Sequence, residues 1–405
     1  MNPAPARQVT QQPDSALQVS VHSEIAEIGR DEWNRIAGDR YPFLSHEFLN
    51  AAEVSGSVSD ETGWYPCHLA LRHDDGRIRA LMPLYEKHHS WGEFVFDWAW
   101  ANAYERAGLR YYPKLVSAVP FTPAPSSRLL LESPEDVEAG KALLAAAVQL
   151  AEQRDCSSLH ILFPSEGDRE IFTDSGLQIR KDCQFHWHNQ DYATFDDFLG
   201  TFSSSKRKKA RRDRRRVQEA GITFRWLDGH QLDADDWRVA YRLISRTFMQ
   251  RGSLPYYNLD FFRQLGAERP DGIRVVFADD MAGPVAAAIF FVGTDTLYGR
   301  YWGSEAHYNA LHFETCYYQG IDFCIENGIK TFEPGTQGEH KISRGFIPEA
   351  TWSAHWLAHP EFFSAISSYV NEESKHIDRY MEAVDKHSPY RSPESPPEER
   401  DEDTT

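Results

Sequence analysis

Residues 331–348 read TFEPGTQGEHKISRGFIP, and within them Glu333, His340, Lys341 and Arg344 form the densest group of reactive and anion-binding side chains in the chain. Glutamate and histidine can take up and release protons, while lysine and arginine can hold a negative charge. A short β run stops at Pro334-Gly335, and Gly338 and Gly345 then punctuate the segment. A loop placed after a strand in this way can bring several polar groups onto one small ligand. The competing reading is a surface loop whose charges are solvated.

A second constellation is cationic. Residues 206–216 hold nine Lys or Arg against one acid, Asp213, a local charge of +8 in a chain whose net charge is −18. On a helix these side chains surround the whole circumference, so the segment is expected to bury no face. With backbone N–H groups after Ser203–Ser205, the side chains of Lys206, Arg207 and Arg211 would suit a nucleotide diphosphate or a tRNA acceptor stem. The alternative is a solvated helix pairing with acids elsewhere. Arg300-x-x-Gly303 with Trp302 sits on a strand ahead of a helix start, a setting for pantetheine or phosphate, with Glu314 nearby. It is half of the pyrophosphate signature Arg-x-x-Gly-x-Gly/Ala, and Glu305 stands where Gly or Ala is expected.

Other chemistries fall away. His88-His89, His186-x-His188 and His355-x-x-x-His359 each lack a third ligand, so no metal is assigned. Gly-x-Ser-x-Gly, the P-loop and Gly-x-Gly-x-x-Gly are absent. Five scattered cysteines without a Cys-x-x-Cys pair indicate neither disulfides nor a zinc ribbon, and most are expected to be buried thiols.

Positioning these residues requires a mixed fold. Helices are expected over 32–37 and 46–54, the second capped by Ser45, and then a hairpin over 67–85 turning at Asp74-Asp75-Gly76. The aromatic and proline-rich stretch 91–131 reads either as a pocket wall or as packed core with loops. Ser133 and Pro134 open an alanine-rich helix over 135–154, with strands at 158–163 and 185–188 behind it. In the second half, a helix ends near Ala220 and a strand follows at 222–227. Helices over 234–249 and 259–265 lead to strands at 273–278, 284–292 and 296–302. A helix over 311–326, a strand at 330–333, a strand at 352–357 and a helix over 361–385 complete the pattern. Strand, Asp-containing turn, strand, then helix and buried strand occur twice in the same order, which points to a duplicated α+β (mixed α/β) unit.

The chain has 405 residues, enough for two or more domains. The expected divisions are a disordered leader over 1–18, halves over 19–190 and 191–385, and a disordered acidic tail over 386–405. The longest uncharged apolar run, 281–294, is shorter than the roughly 20 residues a membrane span needs. With no secretory core at the start, the expected location is cytoplasmic. The net negative charge argues against wholesale nucleic-acid binding.

Longer strings resemble a known family. Lys87-x-His89-Ser90-x-Gly92-Glu93, Tyr111-Tyr112-Pro113-Lys114-Leu115, Pro120-Phe121-Thr122-Pro123, His312-Phe313-Glu314-x-Cys316-Tyr317-Tyr318 and Gln337-Gly338-Glu339-His340-Lys341 are similar to the FemAB-like branch of the GNAT acyltransferase superfamily, the peptidoglycan biosynthesis or recognition proteins. The resemblance implies two tandem GNAT-like halves and N-acyl or aminoacyl transfer. It also implies no tightly bound cofactor, but acyl-CoA or aminoacyl-tRNA as co-substrate. In Fem aminoacyltransferases an acidic strand end precedes Phe-Lys-x-x-Phe-Gly; here His340-Lys341-x-x-Arg344-Gly345 stands in that place. The resemblance implicates Lys341 in acyl transfer; an attacking amine also needs a base and an oxyanion site, for which Glu333 or His340, and Lys341 with Arg344, are the candidates. Lys206, Arg207, Arg211, Arg300, Trp302 and Glu314 would bind substrate, and the acceptor would be a small-molecule or phosphate-bearing amine. A non-catalytic anion-binding module that has kept the fold is the alternative.

Overall fold

The computed structural model describes residues 18–336 and 338–391. The expected leader up to residue 17 and the tail from 392 onward lie outside the described residues. Fifteen strands follow one another as β1 (Gln18–His22), β2 (Trp64–Pro66), β3 (His68–Arg72), β4 (Ile78–Met82), β5 (Tyr85–Lys87), β6 (Lys114–Ser117), β7 (Leu130–Leu131) and β8 (Ser158–Leu162), then β9 (Gln178–His188) and β10 (Thr223–Asp228). The rest are β11 (Ile273–Asp280), β12 (Gly283–Val292), β13 (Thr296–Ser304), β14 (Thr331–Glu333) and β15 (Ile347–Leu357).

A four-stranded sheet runs β1-β3-β4-β7, and an eleven-stranded sheet runs β10-β11-β12-β13-β14-β9-β15-β8-β6-β5-β2. The fold is mixed α/β, and its two halves echo each other. In the first, β6 and β8 are parallel neighbours joined through the helix Val137–Gln153; in the second, β13 and β14 are parallel neighbours joined through the helical stretch beginning at Leu311. A parallel pair needs such a crossover, and helices in it bury one stripe on the sheet. Leu143, Leu144, Ala147 and Ala151 form that stripe in the first crossover and pack with Leu69, Leu71 and Leu159. Each fully buried leucine contributes roughly 1.5–3 kcal/mol.

Several expectations shift in detail. Ser45 caps its helix, its hydroxyl accepting from the Phe48 N–H at 3.3 Å. The alanine-rich helix is capped by Asp136 rather than Ser133, because the Asp136 carboxylate reaches the Ala139 N–H at 3.1 Å. Helix Trp98–Arg106 lies within the stretch read as pocket wall or packed core with loops, and helix Glu166–Asp174 lies in a stretch to which the sequence pattern assigned no element. Strands expected at 185–188 and 352–357 are each eleven residues long, β9 and β15, and they pair with each other. Pro389–Arg391, assigned by sequence to the tail, meet the start of the basic helix, with the Ser203 N–H donating to Pro389 O at 2.9 Å.

The basic helix, Ser204–Glu219, does have an inner face. Ala210, Asp213 and Val217 are buried at spacings of three and four, and Arg214 is drawn inward by Glu314 at 3.1 Å and Asp322 at 2.6 Å. Composition hides this stripe, since one small, one acidic and one apolar residue suffice to seat it. Among the described residues, no helix is long and apolar enough to cross a membrane.

Candidate active site

The site forms where β13 outruns β14. The two strands pair only from Thr296↔Thr331 to Tyr298↔Glu333, after which β13 continues alone on that side to Ser304. On its other side the register with β12 slips, Ile289 facing Tyr301 and Phe290 facing Gly299, so Arg300 is the extra residue of a bulge. A bulge re-aims the side chain it carries. Here the Arg300 guanidinium turns to Glu333 at the end of β14 and donates to its carboxylate at 2.6 Å, both groups being buried. Gly303 is required where the helix Ala234–Gln250 crosses, for a Cβ there would lie 1.9 Å from Leu243 O.

The gap opens into a cavity of about 600 Å³ bounded by Arg300, Trp302, His312, Cys316, Tyr317 and His340, among others. A smaller cavity of about 340 Å³ adjoins it, and Phe248, Arg251, Arg300 and Tyr301 line both. The turn after β14 divides them: Pro334 and Gly338 face the larger, Gly335 and Thr336 the smaller. Beneath that turn lies Lys341, 2 % exposed, its Nζ donating to Gly335 O at 2.5 Å. Burial pulls its ammonium down to about 7, with Glu333 opposing the shift. A lysine so tuned changes charge near neutral pH.

The short helix Glu339–Arg344 that carries Lys341 also places His340 on the cavity wall. Burial, with Arg344 and Lys341 nearby, holds the His340 imidazole below its ordinary value, and its Nε2 lies 2.8 Å from the Tyr317 hydroxyl. His312 is pulled down to about 4, chiefly by burial, while burial pushes the Cys316 thiol far up. Two buried donors on the wall, Arg300 Nε and Trp302 Nε1, have no hydrogen-bond partner among the described residues. Orphaned buried donors at a cavity are places for a ligand oxygen.

Residues 24–392 match the family described as FemAB-like, peptidoglycan biosynthesis/recognition. The chain belongs to the FemAB-like family. Its fold is similar to that of a crystal structure of FemX, at 11% identity and a TM-score of 0.54, covering 87% of this chain and 100% of that one. It is also similar to the C-terminal domain of a putative lysylphosphatidylglycerol synthetase from Agrobacterium fabrum, at 10% identity and a TM-score of 0.52, covering 86% and 97%. No curated protein matches this chain.

Within this FemAB-like chain the structure gathers some of the sequence candidates and separates others. Glu333, His340, Lys341, Arg300 and Trp302 surround the larger cavity or the turn beside it. Arg344 is buried away from it, donating to His340 O at 2.6 Å, facing Asp213 at 3.4 Å and lying 3.3 Å from the Phe313 ring centroid. Glu314 is buried against Arg214. Lys206, Arg207 and Arg211 line neither cavity, and Arg211 pairs with Asp196 at 3.1 Å. Tyr317 and Arg251 are among the wall residues that sequence reasoning did not single out as site residues. A tyrosine within a helical motif gives no sign of facing a cavity, and a lone arginine after a helix gives none at all. Of the two readings of 91–131, both hold in part: Trp91, Phe94, Phe96, Trp98 and Phe121 line the smaller cavity, whereas Trp100, Tyr104 and Tyr111 pack into a core. Among the described residues, no three His, Cys, Asp or Glu side chains come together to hold a metal ion.

Proposed function

We propose that the protein is an N-acyl or aminoacyl transferase that moves an acyl group from a thioester or aminoacyl ester to an amine. The observation that carries this reading is the place of Lys341, buried under the turn between two connected cavities with His340 beside it. The acyl donor occupies the larger cavity, where Arg300 Nε and Trp302 Nε1 supply hydrogen bonds to its oxygens. The amine acceptor approaches from the smaller one. Of the two bases the sequence allows, His340 is favoured, because Glu333 is committed to Arg300 while the imidazole is neutral and faces the cavity.

In the reaction the amine nitrogen bonds to the acyl carbon and passes its proton to His340. The Lys341 ammonium offsets the oxyanion. Collapse breaks the thioester or ester bond, and the leaving sulfur or oxygen takes the proton back from His340. Exposed Lys208, Lys209, Arg212 and Arg216 on the basic helix lie outside both cavities and are available to a polyanionic donor such as charged tRNA.

The test incubates a small-metabolite extract with each donor, acyl-CoA or aminoacyl-tRNA, and reads new amides by mass spectrometry. Wild-type protein forms an amide with one donor, and Lys341→Ala lowers turnover by about 100-fold or more, the scale of one proton-transfer or oxyanion group, with an unchanged melting temperature. Full activity in Lys341→Ala overturns the lysine's role. No amide from either donor leaves the anion-binding module as the better reading.

A further inference from the structure

The smaller cavity has a chemical character of its own. Phe121 and Tyr256 stack with centroids 5.0 Å apart at 12°, Phe94 meets Tyr256 edge-on at 5.6 Å, and Phe248 meets it from another side at 5.4 Å. At the mouth, Trp91 and Trp98 pair at 5.9 Å, and Trp91 and Phe96 remain 65% and 57% exposed. Large apolar groups left open around a concavity mark a binding site rather than ordinary surface. These rings are already in contact with one another, so little side-chain freedom is lost when a ligand enters.

Its charges have one sign. Among the described residues, Arg251 and Arg300 are the only charged ones on its wall, and no carboxylate lines it. Arg300 is neutralised by Glu333. Arg251 stands just after the helix Ala234–Gln250, and no hydrogen bond or ion pair engages its side chain among the described residues. An uncommitted guanidinium beside aromatic faces donates to a carboxylate or a similar anion and disfavours a cationic ligand. About 340 Å³ lies near the lower limit of small-molecule sites, room for one ring and a short chain.

We infer that this cavity selects an aromatic amine bearing a single negative charge, its ring among Phe94, Phe121 and Tyr256 and its anion on Arg251. The amine then points to Gly335 and Thr336, beside the turn that Lys341 holds. The direction of the amine rests on the transfer reading; the recognition of ring and anion does not.

The experiment is therefore done without an acyl donor. Calorimetric titration with 3-phenylpropionate, its uncharged amide 3-phenylpropanamide, and acetate separates the two elements of recognition. 3-Phenylpropionate binds saturably to wild-type protein. The amide and acetate each bind at least about tenfold more weakly, the scale of one charge-assisted or one apolar contact. Arg251→Met, at an exposed position, weakens 3-phenylpropionate by a similar factor and leaves the amide unchanged, while Lys341→Ala binds it as wild type does. Equal affinity for acid and amide, equal affinity for acetate, indifference to Arg251→Met, or no saturation at millimolar ligand overturns the inference. A wild-type protein that binds 3-phenylpropionate in this way yet forms no amide with either donor would count against the transfer reading alone.

Discussion

An ammonium group as deeply buried as that of Lys341 carries a desolvation cost that Glu333 only partly offsets, and Arg300 on the far side of that carboxylate works against it. The proposed chemistry needs this group charged and His340 neutral. His340 titrates below its ordinary value, so the base is present above that range and is lost as pH falls through it. Lys341 titrates near 7, so the stabilising charge is present below 7 and is lost as pH rises through it. The expected profile of kcat/KM is a bell with its maximum between the two, and that ratio reports the free protein. Lys341→Arg keeps a charge that does not titrate in this range, so the alkaline fall should disappear with the acid limb retained. His340→Gln should remove most of the turnover and flatten the acid limb. A fall near 7 that survives in Lys341→Arg would assign it to another group.

Residues 88–97 show how an element without regular structure can be fixed as firmly as a helix. Two buried lysines hold it from inside. Lys114 Nζ donates to Ser90 Oγ at 2.8 Å, Glu93 at 2.7 Å and Asp97 at 2.5 Å, and Lys87 Nζ donates to Trp91 O at 2.9 Å while lying 3.7 Å over the Trp64 ring. The contacts set the path of the loop, and the path sets where Trp91, Phe94 and Phe96 meet the smaller cavity. Burial pushes Glu93 up to about 7, whereas Lys114 keeps Asp97 near 2 against its own burial. Replacing Lys114 by Met leaves two carboxylates in the interior without their cation, a loss of about 3–5 kcal/mol. Chemical denaturation should show it, and adding Asp97→Asn should recover part of it. A Lys114→Met protein as stable as wild type would mean that the loop is held by its apolar contacts instead. Sequence made the motifs around Lys87 and Lys114 visible but gave no hint that both lysines are buried, because the partners of Lys114 lie 17 and 21 residues away in the chain and Lys87 is covered by the Trp64 ring from another strand. The reverse holds for Arg344, whose place beside Lys341 suggested chemistry and whose guanidinium is spent on Asp213 and Phe313. Helices with capping residues and hairpins with Asp-rich turns were legible since their signals are local. The bulge that turns Arg300 toward Glu333 was not, for it arises from register between two strands.

At the scale of the whole molecule, the two halves are joined by an exchange of strands. β15, from the second half, lies between β8 and β9, pairing Ser353–Leu357 with the first and Ile347–His355 with the second. β9 in turn lies between β15 and β14 of the second half. The three consecutive charged residues of β9, Arg180, Lys181 and Asp182, and Pro348 in β15 kept both strands from being read at full length. A buried polar chain marks the same seam: Asp97 accepts from Tyr111 at 2.6 Å, Tyr111 lies 3.1 Å from His160, and His160 lies 2.6 Å from His355 on β15. The geometry has a functional consequence, because Glu339–Arg344 leads directly into β15 through Gly345 and Phe346. Seating that strand in the first half's sheet draws Lys341 to the line where the two cavities meet. Removing it would leave β8 and β9 two strand spacings apart, roughly 10 Å, with both edges unpaired. Cleavage at the expected boundary between residues 190 and 191 should therefore yield pieces that do not fold separately. Residues 18–190 alone should lack dispersed amide signals in NMR, and co-expression with 191–391 should restore them. The intact chain should melt in one calorimetric transition whose enthalpy matches the van't Hoff value. Two resolved transitions, or a folded 18–190 fragment, would show that each half closes its own sheet without the exchanged strand.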